Sequence, residues 1–185
     1  MSPTKIATKK SGEPPGTHVQ YAALPWRLRE SLEIMLVTSR DTRRWVIPKG
    51  WPMKGLKAST TAAVEALEEA GVVGKIEKRK LGSYHYRKRL KNGAALLCRV
   101  DVFPLRVARQ RENWREKHQR VTHWRPYADA AEQVAEQELK EIILAFGEAR
   151  TKEARSTKAA AFPSVMAARP PIENLKDSRA GRIAS

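Results

Sequence analysis

Apolar and polar positions along this chain fall mostly into short runs with strand-like patterning, broken once in the middle by a run of helical period. HVQYAALPWRL (His18–Leu28) reads as a strand interrupted at Pro25, and LEIMLVT (Leu32–Thr38) as a second. SRDTRR makes a turn between Ser39 and Arg44, and Trp45–Ile47 opens another strand that Pro48 ends or confines to an edge. Farther on, Val72–Ile76, Gly82–Arg89 and Ala95–Val107 read as strands, with the Lys91-Asn92-Gly93 turn joining the last two. Pro126–Ala135 and Glu136–Phe146 read as helices, the second carrying a stripe of Leu139, Ile142, Ile143 and Phe146 suited to core packing. The pattern predicts short strands around one helix, then a helical end, with no internal repeat.

The central helix carries the chemistry. Ser59 and Thr60 are its candidate starts, and Gly71, free to turn left-handed, its stop. At about 100° per residue, Glu65, Glu68 and Glu69 share one side, while Ala63, Ala66, Leu67 and Ala70 share the other, which is predicted to face the core. Like charges at this spacing repel, and no Lys or Arg stands among them. Hard divalent cations such as Mg²⁺ take oxygen ligands of this kind together with substrate phosphates. For the helix taken alone, a solvated acidic face is the simpler reading.

The loop ahead of the helix shifts that balance. From Gly50 through Val72 the chain resembles the Nudix box, G-x5-E-x7-R-E-U-x-E-E-x-G-U with U aliphatic. Gly50, Glu65, Glu68, Glu69, Gly71 and Val72 stand in register with that pattern. Two positions depart from it: Leu56 replaces the loop Glu and Val64 the helical Arg. The resemblance implies that this charged pair supports the box, the Arg helping to orient a metal-binding Glu. Joint replacement by two aliphatic side chains predicts that Leu56 and Val64 touch, a packed contact standing in for a polar one.

Composition sets the surroundings. With 185 residues, 41% of them hydrophobic, the chain has room for one domain with a proper core. Its single cysteine, Cys98, rules out a disulfide framework and reads as a small buried apolar side chain. No apolar run is long enough to span a bilayer and no secretion signal is visible, so a soluble cytoplasmic protein is expected. The net charge is +16, of which +10 lies in residues 18–150. That excess would draw phosphates toward the folded part. Residues 1–17 read as a disordered basic tail, 18–147 as the domain, and 148–185 as a flexible basic tail able to touch nucleic acid weakly.

The resemblance implies an α/β/α sandwich with a mixed β-sheet between helices. It also implies hydrolysis of a phosphoanhydride bond by water, with Mg²⁺ or Mn²⁺ as cofactor and a small polyphosphorylated molecule as substrate. Matched by position, Glu65, Glu68, Glu69 and the Gly50 carbonyl become the metal ligands. Glu68 and Glu69 are the candidates for the catalytic carboxylate, with Glu112 and Glu116 as further acids in a charged segment. VTSRDTRRWVIPKG, EEAGVVGKI and ENWREKHQRVTHW are similar to the diphosphoinositol polyphosphate phosphohydrolase-like branch, whose substrates are inositol pyrophosphates or dinucleoside polyphosphates. On that match Arg40 and Arg120 contact phosphate and Lys49 adds a positive group, with Arg43 and Arg44 as weaker contributors. His85, His118 and His123 lack metal-ligand spacing, and Trp51 is the one aromatic placed to lie on a base. An alternative, resting on Leu56, Val64 and the basic tails, is a catalytically weak domain that binds nucleotides or RNA in a regulatory role.

Overall fold

The computed structural model describes residues 14–90 and 93–161. At its centre β1 (His18–Leu28) runs parallel to β7 (Ala95–Gln110), with His18–Trp26 paired along Cys98–Arg106. On the other side β1 pairs antiparallel with β2 (Leu32–Thr38), which in turn carries β3 (Trp45–Val46) and β8 (Thr122–Pro126). The short β4 (Lys49–Gly50) also joins β1. Beyond β7 lie β5 (Val72–Ile76) and β6 (Gly82–Arg89), both antiparallel to it. The helices are α1 (Ala58–Ala70), α2 (Tyr127–Gln133) and α3 (Gln137–Ala161).

Alternation along the strands creates two cores, because successive side chains leave a strand on opposite faces. Ala22, Leu24, Ile34, Leu36, Val100 and Val102 face Ala130, Leu139, Ile143 and Phe146 of α2 and α3. Their odd-numbered neighbours Ala23, Met35, Val37, Phe103 and Leu105 face Ala62, Ala66 and Ala70 of α1. The sheet is therefore covered on both sides, which is why Leu32–Thr38 is almost continuously apolar. The expected α/β/α sandwich with a mixed sheet is the observed architecture. Among the described residues no helix is long and apolar enough to cross a membrane.

The local readings need several corrections. Strand β1 is not interrupted at Pro25, which stays in register opposite Leu105. The helical face toward the core is turned by one position: Ala62, Ala66 and Ala70 are buried, whereas Ala63 and Leu67 are only half-buried. This rotation brings Glu69 to the edge of the buried face. Strand β8 was not anticipated, since THWRP has little apolar pattern and is held by pairing with β2. Helix α3 extends to Ala161, so residues 148–161 are helical rather than a flexible tail. Ala, Glu, Lys and Arg there favour helix without an apolar face. The remainder of that tail, residues 1–13, and Lys91 and Asn92 of the expected hairpin turn lie outside the described residues.

Candidate active site

Three pieces of chain meet around α1. The first is β4, whose pairing with Tyr21 and Ala22 of β1 fixes Lys49 and Gly50 beside the helix. Gly50 is required there by space: a Cβ on it would be driven into the Glu65 carboxyl group. The second is α1 itself, entered from an extended Lys57 without a side-chain cap and left through Gly71 at φ 69°. The third is the charged segment between β7 and β8, residues 111–121. Arg111 N donates to the Gly71 carbonyl at 2.8 Å and Glu116 N to the Glu68 carbonyl at 3.0 Å. Trp114 lies over Gly71 so closely that an added Cβ would meet its ring at 2.5 Å.

This segment brings the positive charge that α1 lacks. Arg115 Nη1 lies 2.8 Å from Glu68 Oε2. The Arg120 guanidinium donates Nε–H to Glu116 Oε2 at 2.6 Å, Nη1–H to the Thr38 carbonyl at 2.8 Å, and Nη2–H to Glu69 Oε1. Glu69 Oε2 accepts the Lys49 backbone N–H at 3.2 Å, so both its oxygens are engaged. Burial raises the Glu69 pKa, against the opposing pull of Lys49 and Arg120.

Glu65 differs from its two neighbours: it takes part in none of the hydrogen bonds or ion pairs found among the described residues. Burial first, then the negative charge of Glu69, Glu68 and Glu116, pushes its pKa up to about 7, with Arg120 opposing. Among the described residues no three acidic, His or Cys side chains converge closely enough to chelate an ion as they stand. Glu68 and Glu69 pair with Arg115 and Arg120 instead. Three carboxylates on one arc, one of them without a cation, nevertheless provide the hard oxygen donors that Mg²⁺ or Mn²⁺ accepts.

The other expected residues are distributed around this centre. Arg40 is 57% exposed and 3.5 Å from Glu116 Oε1. Lys49 Nζ sits 5.4 Å from the Tyr86 ring centroid, its pKa lowered by burial against the attraction of Glu69 and Glu136. Arg120 is 7% exposed and directed at protein carboxylates rather than open to a phosphate. Arg43, in the left-handed region at φ 55°, donates to the Gln119 carbonyl at 2.8 Å, and Arg44 reaches Glu136 at 3.4 Å. Trp51 is 39% exposed, with Lys88 Nζ 4.9 Å from its ring centroid. Leu56 is 44% exposed, and neither it nor Val64 belongs to a core cluster. Sequence reasoning underrated Glu116 and Arg115. The only sequence signal was the i, i+4 spacing of Glu116 and Arg120; Arg115, which meets Glu68 from 47 residues away, carried none.

A mixed sheet sandwiched between helices, with the carboxylate-bearing helix docked behind a glycine-bearing loop, defines the class: this is a Nudix fold. No family model matches the chain. The sequence is similar to proteins named Nudix hydrolases. Nudix hydrolase 18, mitochondrial, of Arabidopsis thaliana is 27% identical over 136 residues, 69% of this chain and 75% of the relative. Nudix hydrolase 12, mitochondrial, of the same plant is 30% identical over 104 residues, 55% of this chain and 51% of the relative. The chain thus spans between half and three quarters of the length of these two proteins. A C. elegans Ap4A hydrolase binary complex superposes with a TM-score of 0.56 at 17% identity, over 73% of this chain and 98% of that one. The NUDIX domain of Shewanella oneidensis NrtR complexed with ADP ribose gives 0.51 at 17%, over 68% and 85%. At such identities these two likenesses show the fold alone.

Proposed function

We propose that this chain is a divalent-metal-dependent pyrophosphohydrolase that cleaves a phosphoanhydride bond in a highly phosphorylated small molecule, such as a dinucleoside polyphosphate or an inositol pyrophosphate. The observation that carries the reading is the Glu65, Glu68, Glu69 arc, with Glu65 pressed against Gly50 and short of positive charge. Glu65, Glu68 and Glu69, with the Gly50 carbonyl, would hold Mg²⁺ or Mn²⁺, which supplies charge neutralisation for the phosphate oxygens when bound.

The chain's own groups do the rest. A carboxylate of the arc, Glu68 or Glu69, takes the proton of the attacking water, and the phosphoanhydride oxygen leaves with the departing phosphate. Arg40, paired with Glu116 beside the carboxylate cluster, meets the substrate's negative charge, with Arg43 and Arg44 farther out along the same turn and Lys49 contributing from the loop. Relatives named Nudix hydrolases and the fold shared with an Ap4A hydrolase support this reading.

The test is release of phosphate and nucleotide, with Mg²⁺ or Mn²⁺, from diadenosine polyphosphates, inositol pyrophosphates, nucleoside triphosphates and ADP-ribose. Turnover of one class is expected, reduced at least ~100-fold in Glu69→Gln, as for loss of a general base. Binding of these compounds without turnover of any would leave the domain a nucleotide-binding module.

A further inference from the structure

Helix α1 places three carboxylates on one side and contributes no cation of its own, so whatever fixes their orientation comes from elsewhere in the chain. For Glu69 the source is visible. Its Oε1 accepts from Arg120 and its Oε2 from the Lys49 backbone N–H. Arg120 is itself anchored twice, on Glu116 Oε2 and on the Thr38 carbonyl at the end of β2. That end is tied to the same segment: Thr38 N donates to the Val121 carbonyl at 3.0 Å, and Val121 N to Thr38 Oγ1 at 3.0 Å. Both partners of the central pair are less than one-tenth exposed.

We infer that Arg120 is a positioning residue for hydrolysis: a buried guanidinium, suspended between β2 and Glu116, that holds the Glu69 carboxylate in one orientation on the face where the reaction occurs. The inference rests on the hydrolase reading above. The choice of arginine follows from geometry. Three acceptors in three directions need the fork of N–H donors that a planar guanidinium carries, whereas an ammonium is a point charge on a flexible stem. Groups that orient metal-binding side chains in this way typically govern affinity or activity by about 10–100-fold. Arg120 therefore acts through Glu69 and not on the substrate.

The experiment compares wild type with Arg120→Lys and Arg120→Ala in three readouts. These are the melting curve, the Mg²⁺ concentration that half-saturates the metal-induced rise in Tm, and kcat and KM on the substrate class that wild type turns over. Arg120→Lys is expected to melt cooperatively, to need ~10–100-fold more Mg²⁺, and to lose kcat on the same scale with KM little changed. Methylguanidinium in solution is expected to restore part of kcat to Arg120→Ala, and methylammonium none. A lysine variant with the wild-type Mg²⁺ requirement and wild-type kcat overturns the inference. So does loss of the cooperative melt in both variants, which makes Arg120 a folding residue only. Failure of wild type to hydrolyse any substrate removes the hydrolase reading instead. The Mg²⁺-dependent Tm shift still reports on Arg120 in that case.

Discussion

Glu69 and Cys98 show what burial does to single ionisable groups in this molecule. Glu69 is enclosed yet bonded on both oxygens, so its charge is held in place by Arg120 and Lys49. Removing Arg120 would leave Glu69 and Glu116 facing each other without their common partner. Arg120→Ala is accordingly expected to lower the unfolding free energy by about 3–5 kcal/mol, the range for breaking one side of a buried pair, as measured by urea denaturation. Cys98 is the opposite case, a fully buried thiol whose pKa burial raises, with the Tyr86 hydroxyl opposing. The thiolate is disfavoured in the fold, so this group leaves stability intact below the thiol's ordinary range and reduces it as pH climbs through and above that range. At pH 8 Cys98 is expected to react with a disulfide reagent at least ~10-fold more slowly in native than in unfolded protein, because the thiolate is the nucleophile. Comparable rates would show that the strand around it opens.

At the scale of elements, the segment of residues 111–121 behaves as a clasp on the C-terminal half of α1. Its backbone bonds to the Gly71 and Glu68 carbonyls, Trp114 covers Gly71, and Arg115 and Arg120 neutralise Glu68 and Glu69. Gly71 serves both sides of this joint, at φ 69° and without room for a Cβ. Gly71→Ala is expected to cost at least ~1 kcal/mol, from left-handed strain plus the displaced indole, as read by chemical denaturation. A neutral result would mean that Trp114 moves freely. Helix α3 supplies the second test at this scale. Beyond Phe146 it carries Arg150, which pairs with Glu77 and lies 5.3 Å from the Trp26 ring centroid. A chain ended at residue 147 is expected to melt below one ended at 161, because Trp26 and Glu77 lose that partner.

For the whole molecule, a net charge of +16 surrounds a small acidic centre. Such a field raises the local concentration of polyanions, and salt screens it with a Debye length of about 10 Å at 0.1 M. KM for a polyphosphorylated substrate is therefore expected to rise several-fold between ~0.05 and ~0.5 M monovalent salt, with kcat changing much less. A KM independent of salt would confine recognition to short-range contacts at the site.

The strands, the central helix with its Gly71 stop, and the Glu65, Glu68, Glu69 arc were legible in the chain because each depends on neighbours within a few residues: alternation, 3.6-residue spacing, a glycine after the last turn. The sandwich followed from those elements together with the box they resemble. What the tertiary structure decided is what each carboxylate meets. Strand β8 exists through pairing with β2, and the rotation of α1 that buries the edge of Glu69 is set by packing on the sheet. Arg120, which by position alone resembled a phosphate ligand, turns inward because Thr38 lies 82 residues earlier in the chain yet beside it in space. Charges act through distance, and distance across a fold is not written in local spacing.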